Sequence, residues 1–297
     1  MNKRVLSTFL LILTSAIWGF AFVAQSKGLD NIGNFTFSAI RGFVASFAMF
    51  LIAKSKSLSG ILKLEGVVID EKLTRKSGIV CGVILFIAMN TQQYGLLYTT
   101  TGKAGFITTL YIVIIPIILR IMGNRLSKRM TFCVTLATIG MYILSINESL
   151  SINTGDVLVF ISAIFYSLHT LSLAKYTNRV DGLKLNTYQF LICGVLSLIV
   201  AVLTETIDLN NIFATTIPIL YVGVLSSAVA YSLQIIGLRH LDATIVSLIN
   251  STEAIFATLG GYLILSEVLS LREWMGCLII FVATVLAQLP DRRFKKI

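Results

Sequence analysis

The sequence has little of what soluble domains and most enzymes contain. Only 13% of its 297 residues are charged, and it has three prolines and two histidines. It lacks the HExxH, GxSxG and Walker A signatures of metalloproteases, serine hydrolases and P-loop ATPases. Two histidines are too few for a histidine-rich metal site. We therefore expect no metal and no cofactor, and an enzyme embedded in the membrane is the less favoured class.

Cysteine is also scarce and shows no metal-binding pattern. The four cysteines are Cys81, Cys133, Cys193 and Cys277, and each lies in or at the edge of an apolar run. None has the CxxC spacing of a zinc or redox site. Such cysteines are typical of small buried apolar residues, so they indicate neither a disulfide framework nor a metal site.

Long apolar runs dominate what is present. Hydrophobic residues make up 56% of the chain, and the mean hydropathy is +0.87. Runs of about 20 apolar residues are long enough to cross a bilayer as helices. The sequence therefore predicts an all-α membrane protein of ten transmembrane helices, with spans at residues 5–25, 34–53, 78–97, 103–120, 130–146, 157–174, 186–203, 213–237, 244–264 and 274–290.

The distribution of the basic residues supports this count. With the N-terminus in the cytoplasm, nearly all of the 24 lysines and arginines fall on the cytoplasmic side, while the other side keeps only Lys27 and Arg272. Two more, Arg41 and Lys103, fall at membrane depth. Cytoplasmic loops of membrane proteins carry such an excess of positive charge. We predict that both termini are cytoplasmic and that the protein is a multi-pass protein of the plasma (inner) membrane.

The two halves of the sequence resemble each other. The segment LTSAIWGFAFVAQSK (13–27) resembles FISAIFYSLHTLSLAK (160–175), and QQYGLLYTTTGKAGFI (92–107) resembles SLQIIGLRHLDATIVSLI (232–249). Five spans per half make the second copy inverted, an arrangement that marks many transporter folds. We predict two inverted five-helix repeats, at residues 1–147 and 148–297.

Three segments carry a resemblance to a known family. They are AIWGFAFV in the first span, LRHLDATIVSLINSTEAIFATLGGYLILSEVLS (238–270), and its weaker copy LLYTTTGKAGFITTLYIVIIPIILRIMGNRLS (96–127). On these motifs the chain resembles an EamA-type transporter of the drug/metabolite transporter superfamily. The resemblance implies a bundle of ten helices around a central cavity that is lined by both halves, and the movement of small organic solutes, often by export.

Charged residues at membrane depth are the first candidate site residues, because a charge there is costly without a partner or a task. Glu253 lies in the middle of the ninth span, with Asn250 one turn before it. Lys103 begins the fourth span on the same helical face as Tyr111, and either snorkels to the interface or lines the cavity. Arg41 in the second span can bind a carboxylate, pair with Glu253 or reach the outer interface.

Polar and aromatic stripes supply the other candidates. Each stripe has helical spacing on an otherwise apolar span, which fits either a cavity wall or contacts between helices. His169 in the sixth span is a candidate proton relay or a satisfied hydrogen-bond partner. The stripes comprise Trp18, Phe22 and Gln25 in span 1, Asn90, Gln93 and Tyr94 in span 3, and Ser227, Tyr231 and Gln234 in span 8.

Together these residues predict a secondary transporter, an exporter or exchanger that works by alternating access. The expected substrate is a small polar or amphiphilic metabolite such as an amino acid. In this hypothesis Lys103 and Arg41 receive its anionic part, and Glu253 receives a cationic group or a proton, with His169 as a second candidate for proton coupling. Gln93, Gln234 and Asn250 are further polar contacts, and Trp18, Tyr94, Tyr111 and Tyr231 contact the apolar part. A flippase for lipids or lipid-linked headgroups is the alternative. The expected partners are the substrate and the bilayer, with no nucleic acid. Whether the protein forms a homodimer is left open by the sequence.

Overall fold

Every regular element in the described part of this protein is helical. The computed structural model describes residues 3–54, 69–99, 101–124, 126–145, 153–265 and 270–288. The helices are α1 (Lys3–Leu29), α2 (Asn34–Lys54), α3 (Glu71–Gly95), α4 (Thr101–Thr109), α5 (Tyr111–Ile121), α6 (Lys128–Ser145), α7 (Thr154–Tyr176), α8 (Gly182–Thr204), α9 (Leu209–Ala214), α10 (Thr216–Leu220), a π-helical segment (Tyr221–Val229), α11 (Ala230–His240), α12 (Ala243–Asn250), α13 (Glu253–Leu265) and α14 (Leu271–Gln288).

Eight helical stretches in the described ranges are long and apolar enough to cross a membrane. They confirm a multi-pass helical membrane protein. The two remaining predicted spans coincide with α6 and α14, which have 18 residues each, and α14 has a shorter apolar stretch at Trp274–Ala287. The count of ten spans, the inversion of the repeats and the side on which the termini lie stay predictions.

Two of the membrane-length stretches are interrupted in the middle. The first breaks at Leu110, between α4 and α5, and the second at residues 251–252, between α12 and α13. At both places the chain tightens into hydrogen bonds between residues three apart, from Leu110 N to Ile107 O (3.1 Å) and from Thr252 N to Ile249 O (3.0 Å). A 3₁₀ turn inside a helix often marks a functional hinge.

Polar side chains stabilise the ends of several helices. Asn153 and Asp156 form a reciprocal capping box at the start of α7. The Glu205 carboxylate at the end of α8 accepts hydrogen bonds from the backbone N–H groups of Phe35 and Thr36, both at 2.8 Å. It thereby satisfies two of the unpaired donors of the first turn of α2 and joins the ends of α2 and α8.

Close packing of α2 on α8 holds the two halves of the chain together. A Cβ atom at Gly42 would lie 2.7 Å from the Gly194 Cα atom and 2.8 Å from the Phe190 carbonyl oxygen. Small residues allow such close approach of helices in membranes, where van der Waals contact drives association. Elsewhere α6 packs on α14 around Cys133, Ala137 and Ile280.

Substituting Gly42 by alanine should destabilise the protein by about 1–3 kcal/mol, the usual cost of overpacking. The new methyl group would meet backbone atoms of α8, which cannot rotate away. Gly105→Ala is the matched control, because a Cβ atom at Gly105 has its nearest neighbour at 3.8 Å. The measurement is the thermal unfolding midpoint in detergent, and equal midpoints for the two variants would contradict the role of this contact.

Candidate functional site

A buried cavity lies at the level of the two helix interruptions. Its volume is about 50 Å³, measured as the space open to the centre of a water-sized sphere, which is enough for a few water molecules. Both halves of the chain contribute to its wall. Of the candidate residues, it is lined by Trp18, Arg41, Tyr111, His169, Tyr231, Gln234, Asn250 and Glu253.

The carboxyl group of Glu253 is the acidic group in the cavity wall. It is 5% exposed and accepts a hydrogen bond from the Tyr111 hydroxyl at 3.3 Å. Tyr111 is the first residue of α5 and Glu253 is the first residue of α13. A Cβ atom at Gly19 would lie 2.8 Å from the Glu253 carbonyl oxygen. The absence of a side chain at Gly19 therefore lets α1 contact the interruption directly.

Arg41 brings a positive charge to the same cavity. The residue is 3% exposed, and its guanidinium donates to Ser227 Oγ (2.8 Å), Gln25 Oε1 (3.2 Å) and Ser226 Oγ (3.2 Å). All three partners are neutral, so no counter-ion for this arginine appears in the described ranges. Because a buried cation without a counter-ion is costly, the site favours an anionic group beside it.

Aromatic rings form another part of the wall. The ring of Tyr231 packs edge-on against Trp18 (4.9 Å between centroids), Phe190 (5.1 Å) and His169 (5.7 Å). The Trp18 indole N–H donates to the Ser226 carbonyl oxygen at 2.9 Å. Ser226 belongs to the π-helical segment, and such wide turns are frequent at functional sites.

His169 is held by a chain of buried polar groups. Its Nε2 atom lies 2.9 Å from Gln189 Oε1, and the Gln189 amide nitrogen donates to Asn186 Oδ1. Asn186 in turn donates to Ser232 Oγ at 3.0 Å. This series of hydrogen bonds leads from the cavity wall toward the end of the bundle where α8 begins and α11 ends. It gives His169 a buried hydrogen-bond partner, and the role of His169 as a proton relay stays a prediction.

Lys103 lies outside the cavity wall, at the end of the bundle where α4 and α7 begin. Its Nζ atom is 2.6 Å from Asp156 Oδ2. Asp156 also accepts from Thr99 Oγ1 at 2.7 Å and from the Asn153 N–H at 2.9 Å. The Asp156 side chain is 6% exposed. The lysine thus meets an acid from α7, a partner that the sequence did not single out.

The stripe on α3 has a different orientation from the predicted one. Gln93 donates to the Asn34 carbonyl oxygen at 3.4 Å, and Tyr94 is 40% exposed. Neither residue lines the cavity, whereas Gln92 does. Gln92 donates to Thr108 Oγ1 at 2.8 Å and accepts from the Tyr166 hydroxyl at 3.1 Å. The sequence shows that this turn of α3 is polar, but it does not show which of its side chains face the cavity.

Several residues at or near the site were not predicted to bind the substrate. Gln25 in the wall and Ser227, which accepts a hydrogen bond from Arg41, belong to predicted stripes, so helical spacing could have included them. Gln92 and Tyr166 carry no signal in the sequence beyond being polar on an apolar span. Asp156 could have been found through its capping position, three residues after Asn153. Of the described residues, no group of three or more His, Cys, Asp or Glu could hold a metal ion.

Comparison with known proteins gives one consistent result. Residues 5–146 and 153–289 match the sequence profile of the EamA-like transporter family. An uncharacterized transporter from Archaeoglobus fulgidus is 27% identical over 97% of this chain and 87% of its own length. The uncharacterized transporter YoaV of Bacillus subtilis is 22% identical over 66% of this chain and 67% of its own length.

A solved crystal structure also shares the fold. It superposes with a TM-score of 0.78 and covers 98% of this chain and 100% of its own, at 16% sequence identity. At this identity the likeness concerns the arrangement of the helices alone.

The pair formed by Lys103 and Asp156 should show energetic coupling. Lys103→Gln and Asp156→Asn should each lower the unfolding free energy by roughly 1–3 kcal/mol, because each removes the charge-assisted hydrogen bond between the two side chains, of which that of Asp156 is 6% exposed. The double variant should lose less than the sum of the two single variants. Thermal unfolding of all four proteins measures the coupling, and strict additivity would contradict the contact.

Proposed function

Because the chain belongs to the EamA-like transporter family, we propose that it is a secondary transporter of a small polar or amphiphilic metabolite, such as an amino acid. In this proposal it works by alternating access, as an exporter or exchanger. It lies in the plasma membrane with both termini in the cytoplasm. No ATP-binding motif is present in the sequence, so transport would use an ion gradient, exchange or a downhill substrate gradient.

The observation that carries the proposal is one cavity that holds a buried cation and a buried carboxyl group. Arg41 and Glu253 belong to different halves of the chain, and both line this cavity. The hydrogen bonds of Arg41 go to neutral groups, and the bond to Glu253 comes from Tyr111. A solute with an anionic and a cationic group complements both, and the aromatic wall suits its apolar part.

The packing of the helices supports the proposed inverted repeats of residues 1–147 and 148–297. The helices of the two halves are matched in chain order: α1 with α7, α2 with α8, α3 with the π-helical segment and α11, and α6 with α14. When matched helices are exchanged, each major contact between helices becomes another contact that is also present. Thus α3 on α7 corresponds to α11 on α1, and α3 on α8 corresponds to the π-helical segment on α2. The contacts α2 on α8 and α6 on α14 correspond to themselves. Ten spans follow if α6 and α14 both cross the membrane.

The interruptions also correspond under this exchange. Tyr111 and Glu253, which begin the second half of each interrupted stretch, are 142 residues apart. Interrupted helices at corresponding places in two repeats indicate a binding site near the midplane. In the proposed transport cycle these interruptions are the places where the helices bend.

Packed clusters lie on both sides of the cavity along the bundle. Toward the beginning of α4 and α7 are the apolar residues Ala104, Ile107 and Val159 and the contact of Lys103 with Asp156. Toward the other end lies an apolar cluster, whose members include Leu11, Ile115, Leu173, Leu238 and Ile249. In the proposed cycle, alternating access would open one of these clusters while the other stays packed.

The two alternatives find less support in the cavity. A lipid flippase would need a headgroup site that opens to the bilayer, for which Lys103 and Arg41 were the candidates. Arg41 is 3% exposed and Lys103 lies outside the cavity wall, in contact with Asp156. An enzyme would convert a solute in detergent without a closed compartment, a measurement that separates it from a transporter.

The first test is a thermal-shift screen of the purified protein against amino acids, phosphorylated metabolites, nucleosides and small organic cations. A ligand at 100 times its dissociation constant should stabilise the folded state by about 2.7 kcal/mol. Hits are then tested for flux in proteoliposomes. Binding without flux across the membrane, or flux only together with chemical conversion, would contradict the transport function.

Glu253→Gln should abolish flux driven by a pH gradient while counterflow exchange continues. The amide keeps the shape of the side chain and its bond to Tyr111 but cannot release a proton. Glu205→Gln is the matched control, because the same chemical change falls outside the cavity, at the start of α2. Unchanged pH-driven flux in Glu253→Gln would remove the coupling role from this residue.

A further inference from the structure

Two buried amide groups in the cavity wall have carbonyl oxygens without a hydrogen-bond donor. They are Gln234 Oε1 and Asn250 Oδ1, and neither atom has a partner in the part of the chain that the structure describes. Gln234 is 3% exposed and Asn250 is 2% exposed. Both side chains line the cavity together with Glu253.

Unpaired acceptors of this kind call for a donor from outside the chain. Most buried polar side-chain atoms in native structures have a partner, so each exception needs an explanation. A carbonyl oxygen can accept hydrogen bonds but cannot donate them. With Glu253, the cavity wall therefore presents three acceptor groups, on α11, α12 and α13.

The cationic donor of the cavity wall is Arg41. Arg41 belongs to α2, and its guanidinium is bonded to Gln25 in α1 and to the π-helical segment. A simple carboxylate would meet Arg41 and leave the acceptors unpaired. A simple amine would do the reverse, so only a solute with both groups satisfies both.

Part of the aromatic wall is packed ring against ring. A quaternary nitrogen binds over the open faces of several aromatic rings. The ring of Tyr231 packs edge-on against Trp18, Phe190 and His169. Tyr231 is therefore surrounded by other rings.

From these contacts we propose that Gln234 and Asn250 are specificity-determining residues, which select a substrate nitrogen that carries hydrogen atoms. The two amide oxygens and the Glu253 carboxyl group receive a primary or secondary ammonium group, while Arg41 receives the carboxylate. This inference rests on the proposed transport of a zwitterionic metabolite. It adds that N-trimethylated zwitterions are rejected.

The test is a methylation series with the full-length protein in detergent. The probes are alanine and phenylalanine, each as the free amino acid, the N-methyl and the N,N,N-trimethyl derivative. Affinities come from thermal shifts over a range of concentrations. From the free amino acid to the trimethyl form the affinity should fall by roughly tenfold or more, because buried acceptors lose their donors. Equal or tighter binding of the trimethyl form would overturn the inference while leaving the cavity as a binding site.

Two variants assign the discrimination to the amides. Gln234→Met and Asn250→Leu keep the approximate volume but remove the carbonyl oxygen, so the ratio of affinities between the free and trimethylated forms should fall. Gln92→Met is the matched control, since Gln92 lines the same cavity and its amide is already paired with Thr108 and Tyr166. This control should keep the ratio, and an unchanged ratio in both test variants would overturn the assignment.

The unliganded proteins provide a second readout. Gln234→Met removes an unpaired acceptor and should leave the unfolding midpoint unchanged or raise it. Gln92→Met breaks two hydrogen bonds and should lower the midpoint. If neither the alanine nor the phenylalanine derivatives bind in any methylation state while other solutes are transported, this inference fails and the transport function stands. If no solute is bound or transported, the proposed function fails as well.

Discussion

The central constraint on this structure is that polar side chains far from water must find partners inside the protein. An ionised group in an apolar interior is unfavourable unless it is hydrogen-bonded or paired. Arg41 meets this constraint through three neutral groups, and Glu253 has the hydroxyl of Tyr111. These partners come from both halves of the chain. The packing of one half on the other is therefore what makes the buried charges tolerable.

The two interrupted helices explain how the polar groups reach the cavity. At each interruption a side chain that begins a new helical segment points to the centre, a tyrosine in one half and a glutamate in the other. The two residues occupy corresponding positions but have different chemistry. Because the Tyr111 hydroxyl can donate to the Glu253 carboxyl group, the difference between the repeats places a hydroxyl donor against a carboxyl acceptor in the cavity wall.

The candidate site was only partly predictable from the sequence. Charged or polar residues on apolar spans identified Glu253, Arg41 and Gln234, because the cost of placing them in the membrane holds for any fold. The register on α3 was not predictable, since Gln92 and Gln93 are neighbours of the same type and point about 100° apart on a helix. Lys103 was a cavity candidate in the sequence, and its contact with Asp156 became visible only when α4 and α7 were placed together.

By itself the sequence determined the helical, membrane-embedded class of the protein, the positions of the helices and the family resemblance. The class and the helix positions follow from local composition and periodicity, and the resemblance rests on short sequence motifs; none of these needs knowledge of distant neighbours. Only the tertiary structure decided which polar residues share the cavity, which are paired, and which acceptors lack a donor. Those properties depend on contacts between residues as far apart as Arg41 and Ser227, and no local pattern specifies which faces of two distant helices meet.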